Sequence, residues 1–431
     1  MALRDAIRNE RVAGAVIVAA AVAALVWINS PVGDAYVSVR DTMVGPDWLD
    51  LRLSVGDWAK DGLLALFFFV VGLELKHELV AGELSRPATA LVPVVAAVGG
   101  MVVPACLYLG VNAVSSGGST AGWAVPVATD IAFAVAVLSL VGTHLPRALR
   151  TFLLTLAVAD DLLAIVVIAV FFPTSLQVGW LVAAGAGVAL FGFAVRRLEA
   201  GRAGTTRTGR AVAHARPAVL ALLALVTWVF MHASGIHATI AGVALAMTVP
   251  ARSRAAGARA TAGSVGAGTG AAPSIARRWE HHLRPWSSAL AVPVFAFFAA
   301  GVAVNAASLH AAATDPVAHG VVLGLVVGKP LGIVLATLTA VTFTRARMDA
   351  SVRWGDFIAM ACLGGIGFTV SLLIGDLAFA SQRADEVKMS VMAGSLASAI
   401  LGGSLLWWRN RSYRLRGIAS STGDDAVATG L

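Results

Sequence analysis

The sequence predicts an all-α, polytopic membrane protein with about twelve transmembrane helices. Its 431 residues are 58% hydrophobic and only 13% charged, whereas a soluble protein carries about 25% charged residues. Many apolar runs reach the roughly 20 residues that a bilayer-spanning helix needs. The two cysteines, Cys106 and Cys362, lie in apolar runs and are read as small core residues. The sequence therefore predicts no resident metal or other cofactor.

The apolar runs define the predicted spans. Asn29-Ser30-Pro31 lacks the small residues of a signal-peptide cleavage site, so the first run is read as a retained helix. Between the seventh and eighth runs, only Ser234-Gly235 marks a break. The predicted spans are 12–29, 60–81, 88–112, 121–141, 149–172, 176–195, 217–233, 235–250, 286–307, 317–341, 355–377 and 388–408.

The basic residues predict the orientation of these spans. With the N-terminus in the cytoplasm, most of the 32 Lys and Arg residues fall in the two tails and the even-numbered loops. This asymmetry follows the positive-inside rule, and it accounts for the net charge of +8 without nucleic acid as a partner. The odd-numbered loops, together with the span ends that border them, hold only Arg40, Arg52, Lys60, Arg383 and Lys388.

Three segments outside the spans have distinctive compositions. The first outside loop, 30–59, alternates apolar and polar residues in places. This pattern is compatible with either a β-hairpin or an irregular loop. Residues 251–278 are rich in Ala, Gly, Arg and Ser, as is typical of a flexible cytoplasmic linker. The tail at 417–431 is predicted to be disordered.

The fourth and eleventh spans are both interrupted. Pro126, Thr129 and Asp130 break the fourth, and three glycines within 364–367 break the eleventh. Such irregular backbone is tolerated at membrane depth only where protein or a water-filled cavity satisfies it. If the broken helices meet, Asp130 would face the positive ends of the half-helices and a cation would face the negative ends. Alternatively, Asp130 only caps a half-helix, and the glycines only allow close packing.

The interrupted spans are the middle members of two triplets, spans three to five and spans ten to twelve. Because the triplets start on opposite sides of the membrane, their hydropathy predicts inverted-topology repeats.

Asp160 and Asp161 are adjacent in the apolar fifth span. A charge at the centre of a spanning helix costs about 2.5–3.5 kcal/mol on insertion scales, which marks this pair as functional. Neighbouring helix residues do not share a face, so one carboxylate can line an ion path while the other contacts a neighbouring helix. A carboxylate that binds either a proton or a small cation couples the two by competition. The alternative is a buried pair that only holds helices together, although apolar packing would do so at lower cost.

Lys329 lies in the middle of the tenth span, in a chain that uses Arg almost everywhere else. A buried ammonium can lose its proton, whereas a guanidinium effectively cannot. The expected partner of Lys329 is one of the two aspartates, and the alternative is a permanent counter-ion that only neutralises the site.

Further titratable residues lie near the cytoplasmic ends of the second and ninth spans. Glu74 and Glu78 share a helix face, and Glu280 and His281 precede the ninth span. These residues form either an acidic funnel that gathers cations and responds to pH or an ordinary solvated helix end. His237, at the start of the eighth span, is read as an interfacial histidine.

These residues, in this order, resemble the NhaA family of bacterial sodium/proton antiporters over about residues 10–408. The motifs that carry the resemblance are FVVGLE at 69–74, ATDIAFA at 128–134, LAVADDL at 156–162, SGIHAT at 234–239, GKPLG at 328–332 and GIGFT at 365–369.

The resemblance implies roles for individual residues. Asp160 and Asp161 would form the essential site for Na⁺ or Li⁺ and protons, with Lys329 paired to Asp160. Thr129 and Asp130 would lie at the crossing of the two broken helices, where Asp130 compensates the helix ends. The residues that match positions associated with pH response are Glu74, Glu78, His237, Glu280 and His281.

The resemblance also implies an activity and an organisation. The family exports one Na⁺ or Li⁺ for more than one H⁺ by alternating access, is switched on at alkaline pH and lies in the bacterial inner membrane. Residues 88–172 and 317–408 would form the ion-transport bundle. Residues 12–81 and 176–307 would supply the interface helices of a homodimer, formed partly through a hairpin in the first outside loop.

Two positions depart from the pattern of the family. Ala299 stands where the family commonly has Asn, and Arg284 stands where a second His often follows Glu280. The predicted transport site is complete, so these departures bear on the pH set point rather than on transport.

Two other classes of function can be compared with the antiporter prediction. A sodium-coupled symporter for an organic solute could share this architecture, but the sequence offers no obvious polar cluster for a solute. An intramembrane aspartyl protease would carry Gly-x-Gly-Asp, and Ile374-Gly375-Asp376 lacks the first glycine. The predicted function is therefore a cation/proton antiporter, not an enzyme, with Na⁺ or Li⁺, protons and the lipid bilayer as its partners.

Overall fold

The computed structural model describes residues 10–47, 51–173, 175–200, 207–251, 274–344, 346–380 and 382–415. The described chain is mainly helical, as the apolar runs predict, and a helix satisfies its backbone polar groups without water. The predicted disordered tail and most of the predicted linker at 251–278 lie outside the described residues.

The elements follow one another along the described chain. The strands β1 (Met43–Val44) and β2 (Leu53–Ser54) pair antiparallel within the predicted first outside loop, with Met43 opposite Ser54. The longer α-helices of the described residues are α1 (Glu10–Ile28), α2 (Gly33–Asp41), α3 (Leu64–Ala81), α4 (Pro87–Val114), α5 (Ile131–Val141), α6 (Arg147–Phe171), α7 (Val178–Ala200), α8 (Arg207–Ala233), α9 (Thr239–Thr248), α10 (Ile275–Trp286), α11 (Val292–Ala299), α12 (Ala306–Thr314), α13 (Pro316–Leu323), α14 (Lys329–Phe343), α15 (Trp354–Leu363), α16 (Phe368–Ala378) and α17 (Gln382–Leu415).

Short helical segments of other pitch extend or join some of these helices. A π-helical segment, Trp58–Leu63, leads into α3, and a 3₁₀ segment, Val125–Val127, precedes α5. Two more π-helical segments join α10 to α11 (Ser287–Ala291) and α13 to α14 (Gly324–Gly328).

The chain divides into two compact units. As far as the structure describes them, residues 15–87 and 165–303 form the first unit, and residues 10–14, 88–164 and 304–415 form the second. The predicted ion-transport bundle falls in the second unit, except for its residues 165–172. Ion transport by residues 88–172 and 317–408 and dimerisation through residues 12–81 and 176–307 stay predictions.

Every predicted span overlaps helical structure. By length and hydropathy, five helices of the described residues can cross a membrane, or seven when each of two bent pairs counts as one span. The bent pairs are α1 with α2, at 115°, and α15 with α16, at 46°. The chain is thus a multi-pass membrane protein, while the count of twelve spans stays a prediction.

The predicted linker at 251–278 extends too far. Helix α10 begins at Ile275, because the Ser274 side chain caps it by accepting a hydrogen bond from the backbone N–H of Arg277 at 3.3 Å. A serine at the N-cap satisfies one of the unbonded donors of the first turn.

The predicted ninth span, 286–307, also extends too far, because its helix ends at Ala299. The Tyr36 hydroxyl donates to the backbone carbonyl of Phe297 at 2.8 Å and so satisfies one acceptor near the helix end. The same ring packs against Gly301, where a Cβ would lie 1.9 Å from the hydroxyl oxygen. Sequence periodicity could not reveal this end, since Tyr36 is remote along the chain.

One face of α6 directs the site residues inward. Leu149, Leu153 and Leu156 are spaced by three or four residues and are buried in the core of the second unit, together with Phe357. Asp160 follows Leu156 by four residues and so continues the buried face.

Candidate ion-binding site

Thr129 and Asp130 lie where two broken helices meet. One consists of the segment Val125–Val127 with α5, and the other consists of α15 with α16. The Thr129 hydroxyl donates to the carbonyl of Gly364 at 2.9 Å, and the Asp130 backbone N–H donates to that of Ile366 at 2.5 Å. These bonds satisfy carbonyls that an unbroken helix would have paired internally.

The Asp130 carboxylate caps two half-helices at once. Its Oδ1 accepts from the backbone N–H of Phe133 in α5 at 3.1 Å, and its Oδ2 accepts from that of Thr369 in α16 at 3.3 Å. Both are N-terminal ends, where the helix dipole favours a negative charge. Charge compensation and capping, the two readings of Asp130, therefore describe one geometry.

The glycines of the break allow close approach between elements. At Gly365, a Cβ would lie 2.2 Å from the carbonyl oxygen of Leu325, and at Gly367, it would lie 2.3 Å from the Ser371 hydroxyl. Neither glycine has a positive φ. Close packing, the alternative reading of these glycines, accounts for them.

Lys329 joins the negative end of one broken helix to Asp160. Its Nζ donates to Asp160 Oδ2 at 2.6 Å and also to the backbone carbonyl of Val127, the last residue of the 3₁₀ segment. Both side chains are buried. The cation expected at the negative helix end is thus the ammonium of Lys329.

The two aspartates are buried together but have different surroundings. Asp160 bonds Lys329 and lies against Thr129, and its Oδ1 accepts no well-aligned hydrogen bond from the described residues. Asp161 is 3% exposed and interacts electrostatically with Lys329. This arrangement offers buried carboxylate oxygens to a proton or a small cation.

A hard cation binds oxygen atoms, and this site offers carboxylate, hydroxyl and backbone carbonyl oxygens. Among the described residues, no group of three or more His, Cys, Asp or Glu side chains could hold a metal ion. The oxygen atoms around Asp160 and Asp161 are of the kind that a small, hard cation binds.

The acidic residues of α3 and α10 are linked by Arg284. Its Nη2 lies 2.8 Å from Glu74 Oε2 and 3.0 Å from Glu280 Oε1. Glu78 accepts from the backbone N–H of Glu83 at 3.1 Å, and His281 stacks edge-on with a neighbouring histidine ring. The guanidinium that departs from the family pattern thus bridges two of the carboxylates predicted to respond to pH.

His237 has its contacts elsewhere. Its Nδ1 lies 3.5 Å from Asp61 Oδ1, and its side chain is 4% exposed. His232 Nδ1 lies 4.0 Å from the other oxygen of Asp61. Asp61 was not among the predicted site residues, although a carboxylate at the start of the second predicted span was a usable signal. The residues predicted to respond to pH therefore form two separate groups.

Comparison with known proteins gives consistent matches along almost the whole chain. A profile of the Na⁺/H⁺ antiporter 1 family matches residues 4–406. A protein of Mycolicibacterium smegmatis named Na⁺/H⁺ antiporter NhaA is 50% identical over 414 residues, which cover 95% of this chain and 88% of that protein. Another from Kineococcus radiotolerans, named Na⁺/H⁺ antiporter NhaA 2, is 51% identical over 431 residues, which cover 98% and 88% of the two chains.

Proposed function

Because the chain belongs to the Na⁺/H⁺ antiporter 1 family, the NhaA antiporters, we propose that it exports Na⁺ or Li⁺ in exchange for H⁺ at Asp160 and Asp161. It is a transporter and not an enzyme. The observation that carries the proposal is the buried ion pair between Asp160 and Lys329, adjacent to Asp161 and to the crossing of the broken helices. One pair of carboxylates cannot hold a cation and its full complement of protons together, so the two occupants exclude each other.

The coupling follows from competition at one place. When the site opens to the cytoplasm, Na⁺ displaces protons from the carboxylates and is carried outward. When it opens to the outside, protons displace Na⁺, and Lys329 either exchanges a proton or remains a fixed counter-ion. Import of more than one proton for each Na⁺ makes the exchange electrogenic, so the membrane potential drives it.

The arrangement in the membrane belongs to the same proposal. The chain crosses the bacterial inner membrane about twelve times with both termini in the cytoplasm. Spans three to five and ten to twelve form inverted repeats, which is supported by the matching breaks before α5 and between α15 and α16. Residues 12–81 and 176–307 supply a homodimer interface, to which the β1–β2 pairing contributes.

Alkaline activation is assigned to the two titratable groups of the first unit. These are Glu74, Glu280 and their neighbours around Arg284, and His237 beside Asp61. A solute symporter, the alternative, has no observation in its favour, and the relatives that match the chain are named Na⁺/H⁺ antiporters.

Reconstituted transport tests the proposal. The purified full chain in liposomes should collapse a pH gradient when Na⁺ or Li⁺ is added, and Asp161→Asn should lower the rate by about 100-fold or more, because it removes a carboxylate that carries both ions. Asp349→Asn, which changes an exposed loop carboxylate, is the matched control and should leave the rate unchanged.

The competition has its own measurement. Calorimetric titration with Na⁺ in buffers of different ionisation enthalpy should show protons released as Na⁺ binds. Na⁺ binding without proton release, or full activity in Asp161→Asn, contradicts the proposed site.

A further inference from the structure

Helix α17 is continuous and follows both halves of the broken helix formed by α15 and α16. In the middle, the Ser395 hydroxyl accepts from the backbone N–H of Gly367 at 3.2 Å. Nearby, a Cβ at Gly402 would lie 3.0 Å from the backbone nitrogen of Leu363. Helix α17 thus packs directly against the break. It also contacts the broken helix at the two ends that lie away from the break, in the first turn of α15 and in the last turn of α16.

The first joint, called here the first clamp, consists of Asp356, Arg409 and Tyr413. Asp356 lies in the first turn of α15 and is fully buried. Its Oδ1 accepts from Arg409 Nε at 2.6 Å, and its Oδ2 accepts from the Tyr413 hydroxyl at 2.7 Å. Both oxygens of one buried carboxylate are therefore held by donors from α17.

The second clamp consists of Asp376 and Lys388. Asp376 Oδ1 lies 2.8 Å from Lys388 Nζ, and both side chains are largely buried. Asp376 is in the last turn of α16, where the helix dipole disfavours a negative charge. Its position therefore depends on the ammonium that α17 supplies.

The clamps lie far apart, while the halves they hold meet at the ion site. Lys388 and Arg409 are about 32 Å apart along α17, at 1.5 Å per residue. At the other end of α15, the carbonyls of Gly364 and Ile366 accept from Thr129 and Asp130. Each half-helix thus joins one clamp at its far end to the crossing beside Asp160.

We propose that the two clamps are positioning groups for the cation site. They fix the height and rotation of α15 and α16 on α17, and so they fix the crossing that holds Thr129 against Asp160. A buried ion pair adds little net stability compared with apolar packing, whereas a site must be held within about 0.5 Å to bind its ion well. The transport part of this inference rests on the proposed function.

Paired variants of the full chain in liposomes test the clamps. Asp356→Asn and Asp376→Asn should each raise the KM for Na⁺ about fivefold or more, with the maximal rate within about twofold, because they displace the site without removing a carboxylate that binds the ion. Tyr413→Phe should give a smaller rise, and Asp356→Glu should partly restore the KM.

Asp385→Asn is the matched control for the second clamp. Asp385 lies 3.7 Å from the same Lys388 but belongs to α17 itself, so its loss leaves the joint to α16 intact. Its KM should equal that of the wild type.

Hydrogen exchange measured by mass spectrometry reports the local stability of the helix crossing independently of transport. Amides at 128–133 and 364–369 should exchange faster in Asp356→Asn and Asp376→Asn than in Asp385→Asn. If both clamp variants match Asp385→Asn in KM and in exchange, the inference is wrong. If Asp356→Asn does not fold, the KM and exchange of Tyr413→Phe and Asp376→Asn test the inference in its place.

If the wild type itself shows no transport, the proposed function is contradicted. The exchange data alone then show whether the clamps position the crossing.

Discussion

The ammonium of Lys329 donates to two different kinds of acceptor, a side-chain carboxylate and a backbone carbonyl. It neutralises Asp160 and satisfies the backbone carbonyl of Val127, so its loss would expose a buried carboxylate and a helix end at once. Arginine could keep the charge, but its larger planar group would have to fit where Lys329 is 1% exposed. A lysine at this position is therefore fixed by space as well as by charge.

Replacement of Lys329 by methionine should destabilise the protein strongly. A buried ion pair that loses one partner costs about 3–5 kcal/mol, because the remaining charge is unpaired. We expect the melting temperature in detergent to fall for Lys329→Met and to recover largely in the double variant Asp160→Asn/Lys329→Met, where no charge is stranded. A double variant that melts as low as the single one would show that packing, and not the stranded charge, dominates at this site.

The broken helices bring their unpaired ends together beside the proposed ion site. Each half-helix presents a partial charge, and Asp130 and Lys329 supply the opposite full charges. Because Asp130 holds the ends of two elements, a change at this one side chain should affect both.

Alanine at position 130 should therefore cost more than the loss of an ordinary cap. One N-cap is worth about 0.5–2 kcal/mol, and Asp130→Ala removes two, while Asp130→Asn keeps a single carbonyl acceptor. We expect melting temperatures in the order wild type, Asn variant, Ala variant, with faster amide exchange at Thr369 in both variants.

Asn305→Ala is the matched control. Asn305 is an exposed N-cap whose side chain accepts from the backbone N–H of Ser308, so it caps a single helix, α12. A loss in Asp130→Ala no larger than in Asn305→Ala would contradict the double cap.

The central elements were predictable because a charge is conspicuous in an apolar run. Asp130, Asp160 and Lys329 stand out in the sequence by the cost of placing them in a membrane. The tie between Tyr36 and the end of α11 did not stand out, nor did the bridge from Arg284 to Glu74. Both depend on contacts between residues remote in sequence, which no local period reports.

The same limit applies to the clamps on α17. Asp356 and Arg409 each lie near the end of a span, where charged residues are ordinary, so nothing in the sequence pairs them. Only the packing of α15 against α17 shows that the carboxylate is buried and doubly bonded.

At the scale of the whole molecule, the proposed pH response is divided between two places in the first unit. Asp61, the partner of His237, and Glu74, a partner of Arg284, lie on one continuous helical stretch, about 20 Å apart at 1.5 Å per residue. The contacts given above for the two groups have no residue in common. Two sites so separated should act on the transport rate independently.

The double variant His237→Gln/Arg284→Gln should thus show the sum of two shifts. Effects of sites more than about 10 Å apart with no shared partner usually add within about 0.4 kcal/mol, which corresponds to about 0.3 pH unit. We expect each single variant to move the pH of half-maximal antiport in liposomes, since one removes a titratable ring and the other removes the charge that pairs Glu74 with Glu280. A double shift far from the sum would mean that one network links both places. Unmoved single variants would place the pH response outside these residues.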